Sequence, residues 1–415
     1  MIKLNFFYKI KFLVYLLWKN KKKIILKSPP KKKLLIVDDV TINYLNKTIL
    51  KNLDYSLVST RPQFEKRDRN DIDSKYYISI KIIIYFVLGL LKKLNFKTSY
   101  IYSYIKCSKP NIVLNNCHDW NLIKISKLLK KINFVLLCHG NWFDFTNKGK
   151  KLFERLDMTW LPHEISKIEL KNHLKNFYIL LRGQKDIDLF KKIGVNKVNF
   201  ISIGSYEASY YKSLKLNNQK KFDILFVSQL VNSCFSNPTK LDDIYKTYTS
   251  EILSLLSKYS LEKKLSVAYL CRGTYENNIK ENNFAKDTLK KCNYTIIENK
   301  NNALWESIYT SNIVTTIDST VGHDAIFIEK KTMLFPMSFN DKYFYATKPD
   351  RKINELWEWT ITKSNYQEFK KKMDNLISIT PDVYKKKIAK YRNYNFYNHQ
   401  EESNEITYKF IKNLI

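Results

Sequence analysis

Residues 316–327 read Thr-Ile-Asp-Ser-Thr-Val-Gly-His-Asp-Ala-Ile-Phe. An apolar run, Ile313 to Ile317, stops at Asp318. Ser319, Thr320, Gly322 and His323 follow, and a helical spacing begins. Hydroxyls at 319 and 320 can donate to a ligand and can cap a helix. Gly322 lets backbone come close to a neighbour. The first N–H groups of a helix lack internal partners and favour an anion. A strand, a small polar turn and a helix start in that order suit a diphosphate. They equally suit an ordinary Ser/Thr-capped helix. The chain has only 8 glycines in 415 residues, so one placed in this turn asks for a reason. Neither the P-loop pattern GxxxxGK[ST] nor GxGxxG is present there.

Other chemistry-bearing residues also close apolar runs. Ser228 and Gln229 end the run 221–230, and Arg272 ends 265–273. Arg272 suits a diphosphate partner, or it is a surface charge. His139 ends 133–140, and Asp119, with His118 beside it, follows 111–116. Two DxD sequences occur, Asp71/Asp73 and Asp186/Asp188. Neither follows an apolar strand, and Asp186 opens a helix, where acidic residues are favoured anyway. No HExxH or Cys/His cluster suggests zinc, so no metal is expected.

Such residues need elements to hold them. Apolar runs at 33–39, 55–60, 111–116, 133–140, 177–183 and 198–205 read as strands. Helical spacing falls between them, at Trp120–Ile132 for example, and Ile82–Leu91 reads as a buried helix. Residues 209–220 carry no strong pattern and read as a linker. A second strand series follows at 221–230, 265–273, 294–298, 312–318 and 331–336. Helices are expected over 248–259, 365–377 and 402–414. Strands joined by helices of ten or more residues predict parallel sheets. The expected fold class is therefore α/β, with two Rossmann-like, doubly wound halves facing a cleft. The expected divisions are a basic N-terminal segment (1–30), a first half (31–210), a second half (221–400) and a C-terminal helix (401–415). In such sheets ligands lie beyond the carboxyl ends of the strands, where most of the scarce glycines sit.

The net charge is +33, from 72 Lys+Arg against 39 Asp+Glu. Clustered Lys and Arg would fit a nucleic-acid binder. Here Lys dominates Arg and is spread along the chain, beside abundant Asn, Ile, Tyr and Phe. That is the mark of an AT-rich coding sequence. Base reading would favour Arg, so no specific nucleic-acid partner is expected. The charge still favours anionic partners, such as a nucleotide diphosphate or an acidic membrane surface. Six cysteines without a CxxC pair fit a reducing, cytoplasmic compartment. The N-terminal stretch, residues 1–23, is too short in its apolar run to span a bilayer. Its aromatics and lysines suit a segment lying on an anionic membrane, or one packed on the protein's own core.

The stretch 301–336, "NNALWESIYTSNIVTTIDSTVGHDAIFIEKKTMLFP", resembles the C-terminal signature of GT-B-type glycosyltransferases. It looks most like the bacterial surface-carbohydrate biosynthesis proteins and, more distantly, CDP-glycerol glycerophosphotransferases. The matching positions are Asp318, Ser319, Thr320, Gly322, Asp324-Ala325 and Lys330-Lys331. Many members carry Glu where this chain has Asp324, so the family's ribose contact would fall on a shorter side chain. "NFYILLRGQKDIDLFKKIGVNKVNFISIGS", "NIVLNNCHDWN" and "VLLCHGNWFD" are similar to the family's first-half motifs. The resemblance implies a nucleotide-sugar donor on the second half, with Ser319, Thr320, Gly322, His323, Asp324, Arg272, Ser228 and Gln229 around it. It implies a glycan or lipid-linked acceptor on the first half and no metal or cofactor. It also implies a base for the acceptor hydroxyl if the enzyme inverts. His139 is the first candidate for that base and Asp119 the second; His139 otherwise is a structural histidine. A transferase of polyol phosphate from a CDP-activated donor, and a non-catalytic basic binding protein, are the alternatives.

Overall fold

The computed structural model describes residues 24–37, 42–58, 76–115, 121–138, 172–192, 194–214, 216, 219–230, 233–236, 238, 240–272, 278–300, 302–317, 319–335, 358–361, 364–396 and 402–415. The N-terminal stretch 1–23, both candidate bases, Asp318 and the Asp71/Asp73 pair lie outside them.

Two parallel sheets carry the fold. The first runs β3 (Tyr55–Val58), β2 (Leu34–Val37), β5 (Ile112–Asn115), β6 (Asn133–Leu137), β7 (Phe177–Leu181) and β8 (Asn199–Ser202), in that order across the sheet. The second runs β11 (Asn293–Ile297), β10 (Ser266–Leu270), β9 (Phe222–Val227), β12 (Ser311–Thr316) and β13 (Lys331–Leu334). A short pair, β1 (Ile24–Ile25) and β4 (Tyr76–Tyr77), stands apart. Strands buried on both faces have no reason to alternate with polar residues. Leu34-Leu35-Ile36-Val37 is such a run, and all four are buried. Their side chains still alternate: Leu35 and Val37 join one core, Leu34 and Ile36 the other. In β9, Ile224 and Phe226 face one core and Leu225 and Val227 the opposite one.

Among the elements that differ from the sequence expectation, three bear on how the halves are joined or covered. Part of the expected linker, 209–213, belongs to a helix, Tyr206–Ser213. Its Ser205 cap accepts from the Ala208 N–H at 3.3 Å. Tyr206 sits in the first sheet's core while Ala208 sits in the second's, so this helix stitches the two cores together. A helix over Pro381–Asn395 also escaped the sequence reading; Pro381 opens it and Thr380 caps it. Third, the Ile80–Leu91 helix buries Ile82 and Gly89 but leaves a broad apolar face outside. A run that is apolar on all sides does not say which side is covered.

The chain returns to its first half at the end. The helix Ser403–Leu414 sets Ile411 into the core beside Leu34, Ile36 and Leu114. Phe410 meets Tyr178 edge-on at 5.3 Å, and the Ser403 N–H donates to Ser209 Oγ at 3.1 Å. On the way, the backbone at Asn395 and Phe396 passes so close to Gly183 that any Cβ there would strike it. Gly183→Ala therefore has to move backbone. It should cost about 1–3 kcal/mol, read as a lower denaturant midpoint.

Candidate functional site

Four strands of the second sheet end on one row. Leu270 pairs with Val227, Val227 with Thr316, and Thr316 with Leu334. The residues just past this row share one carboxyl edge. Ser228 and Gln229 follow β9, Arg272 follows β10, and Ser319 and Thr320 follow β12.

Ser319 caps the Thr320–Phe327 helix; its Oγ accepts from the Val321 N–H at 3.3 Å. Thr320, partly exposed, is the first helical residue. Gly322 is buried, and its N–H already donates to the Ser319 carbonyl at 3.1 Å. A Cβ on Gly322 would lie 2.6 Å from Thr316 Cγ2 and 2.7 Å from Leu334 Cδ2. The glycine expected to admit a ligand is the residue that lets this helix settle onto β12 and β13. Arg272 is exposed, and its Nη1 donates to the Gln229 carbonyl at 2.9 Å and to Gln229 Oε1 at 3.0 Å. The pair spans the ends of two neighbouring strands and presents a cation at the edge.

Ser228 is buried, its Oγ accepts from the Leu230 N–H at 3.1 Å, and the Tyr269 hydroxyl lies 2.9 Å away. Tyr269 also reaches Glu281 Oε1 at 3.0 Å, and Glu281 accepts from the Arg272 N–H at 3.2 Å. Ser228 thus belongs to a buried polar chain that fixes the edge and positions Arg272. Sequence reasoning missed Tyr269 and Glu281, since a Tyr inside an apolar strand gives no local sign of polar work.

His323 and Asp324 are both buried, and their side chains bond at the junction between the halves. Asp324 Oδ1 accepts from Arg182 Nη2 and from Ser205 Oγ, the latter at 2.6 Å. Arg182 follows β7 and Ser205 opens the stitching helix, so Asp324 ties the second half to the first. Burial holds its carboxyl above the usual carboxylate range, against the pull of Arg182 and Ser205. The Arg182 guanidinium also stacks over Phe396 at 4.7 Å. The His323 ring lies parallel to Tyr391, and Tyr391 Oη is 2.6 Å from its Nδ1. Burial, aided by the nearby charges of Lys185 and Arg182, keeps this imidazole neutral. Half-buried Glu207, next to the junction, is pushed up to about 7, first by burial and then by the charge of Asp324.

The candidate bases follow β5 and β6 in the sequence. These strands are neighbours, with Asn115 paired to Leu136. The Cys138 N–H donates to the Leu180 carbonyl at 3.0 Å, so the sheet fixes the backbone to within one residue of His139. Among the described residues no group of His, Cys, Asp and Glu is placed to hold a metal ion. Among the same residues no helix is long and apolar enough to cross a membrane.

Solved structures share this architecture. S. aureus MnaA, solved with UDP, is 13% identical, and the match covers 92% of this chain and 98% of that one with a TM-score of 0.53. A UDP-glucosyltransferase from Polygonum tinctorium is 9% identical, with 93% and 99% covered and a TM-score of 0.51. UDP-GlcNAc 2-epimerase from Methanocaldococcus jannaschii is 13% identical, with 91% and 99% covered and a TM-score of 0.50. At such identities the likeness shows the fold, which is GT-B: two Rossmann-like halves. No curated protein matches by sequence. A family described as "putative O-antigen biosynthesis protein" matches residues 165–414. That match takes in more than half of the sequence, all of the second sheet and the returning C-terminal helix, and the chain belongs to this family of surface-carbohydrate biosynthesis.

Proposed function

We propose that the protein is a glycosyltransferase that moves a sugar from a nucleotide-activated donor to a surface-polysaccharide or lipid-linked acceptor. The observation that carries this reading is the shared carboxyl edge of β9, β10 and β12. There a fixed Arg272–Gln229 pair stands one strand away from the Ser319-capped start of a helix. A guanidinium on one side and a helix N-terminus with a hydroxyl on the other oppose the charge that builds on a departing diphosphate. Arg272, Gln229, Ser319 and Thr320 are the proposed donor contacts. Gly322 supports them by seating the helix. Membership in a surface-carbohydrate family supports the proposed acceptor class. The acceptor hydroxyl would lose its proton to His139, or to Asp119, at the facing edge of the first sheet.

Calorimetric titration with UDP, GDP, CDP and CMP tests the donor side. Saturable binding of UDP or GDP supports sugar transfer. Binding of CMP or CDP alone would point instead to transfer of a polyol phosphate. No binding of any of the four would remove the donor site from this edge. For the nucleotide that binds, Thr320→Val keeps the shape and deletes one donor to a charged group. It is expected to weaken binding by about 1.5–3 kcal/mol without moving the melting temperature. Unchanged affinity would strike Thr320 from the site.

A further inference from the structure

The apolar face on the Ile80–Leu91 helix has no part in the donor edge. Ile80, Ile83, Ile84, Val87, Leu88 and Leu91 keep between 39% and 78% of their surface exposed. With 3.6 residues per turn these six fall within an arc of about 140°. The opposite side is locked to the next helix, Phe96–Ser108. Gly89 lies against Ser99, and Phe86 meets Phe96 edge-on at 4.9 Å. The stripe therefore cannot roll inward without breaking that packing. Leu26, 83% exposed, extends it, because the chain just after β1 is tied to the helix start. The Ile78 N–H donates to the Ile25 carbonyl at 2.9 Å, and Ser28 Oγ lies 3.2 Å from Ser79 Oγ.

The charge in the stripe's own stretch of chain has one sign. Residues 76–115 contain six lysines and neither Asp nor Glu. Lys81 is exposed on the border of the stripe, Lys92 and Lys93 are exposed at its end, and Lys27 is exposed beside Leu26. A monomer rarely leaves so continuous an apolar patch in water. A protein partner with an apolar groove would account for the stripe alone. An anionic bilayer accounts for both the stripe and the lysine-only charge of residues 76–115, since apolar side chains enter the acyl boundary while lysines stay among headgroups. At 1.5 Å per residue the helix is about 18 Å long. That is well short of the roughly 30 Å hydrocarbon core, so it would lie on the bilayer and not cross it.

We propose that this helix face docks the protein on a bilayer rich in anionic phospholipid. The proposal does not depend on the donor reading, and its test uses no nucleotide. The full chain is sedimented with vesicles of phosphatidylcholine alone and of phosphatidylcholine with phosphatidylglycerol, at low and high salt. Partitioning onto the anionic vesicles, weakened by salt, is expected. An Ile84→Ser/Leu88→Ser variant should melt at the wild-type temperature and lose at least about tenfold in partitioning. A Lys92→Gln/Lys93→Gln variant should lose about as much, and only on anionic vesicles. If the apolar variant melts lower and binds vesicles as before, residues 1–23 or another part of the chain cover the stripe, and the proposal fails. It fails also if the wild type is a dimer that this variant dissociates, with no vesicle binding by either.

Discussion

Replacing Arg182 with Met is expected to lower the stability of the protein by about 3–5 kcal/mol. The reason is the carboxylate it leaves behind. Asp324 is buried with two donors, Arg182 and Ser205, and among the described residues the guanidinium carries the one positive charge bonded to it. Met has the volume to fill the gap beside Phe396, so the loss reports charge and not a cavity. Urea denaturation followed by circular dichroism measures it. The double variant Arg182→Met/Asp324→Asn should recover much of the loss, because an amide needs no counter-ion and Ser205 can still bond it. A single Arg182→Met variant as stable as the wild type would show that the ion pair does not hold the halves together.

His139→Gln is expected to lower turnover by about 10²–10⁴ and to leave nucleotide affinity unchanged. The split between the two readouts is the point. The proposed donor contacts follow the second sheet's strands, beyond Val227, Leu270 and Thr316. The proposed base follows Cys138 in the sequence, and the first sheet anchors the Cys138 backbone. A side chain that takes a proton from the acceptor has no reason to touch the diphosphate. Single-turnover transfer and calorimetry on the same preparation decide it. Should turnover survive in His139→Gln and vanish in Asp119→Asn, Asp119 is the base.

The sheets were legible in the sequence for a physical reason. Parallel strands covered on both faces are unbroken apolar runs, and Leu34–Val37, Phe177–Leu181 and Val267–Leu270 are such runs. Helices with a weak apolar signal were not legible. Phe96–Ser108 buries Thr98, Ser99, Ser103 and Ser108 among its tyrosines and isoleucines, so a polarity pattern cannot find its inner face. Pro381–Asn395 is rich in lysine and presents Tyr384, Ile388, Tyr391 and, partly buried, Tyr394 to the core. The candidate site divides in the same way. Ser319 as a cap and Arg272 at a strand end follow from local order. The engagement of Asp324 does not, because its partner Arg182 is 142 residues away in the chain. Local sequence showed a carboxylate one turn into a helix that suits a ligand. Only the tertiary fold shows that the side chain turns to the other half.

The returning helix at 403–414 also sets an order of assembly. Proteins are made from the N-terminus, and an N-terminal unit commonly folds while the rest is still being synthesised. Here the core that holds Leu34 and Ile36 also needs Ile411. The half made first is therefore finished last, and until then it carries an uncovered sheet face. A fragment ending near residue 230 should be prone to aggregate and should be rescued by supplying residues 365–415 as a separate chain. The fold has two halves, but in biogenesis they are a single unit.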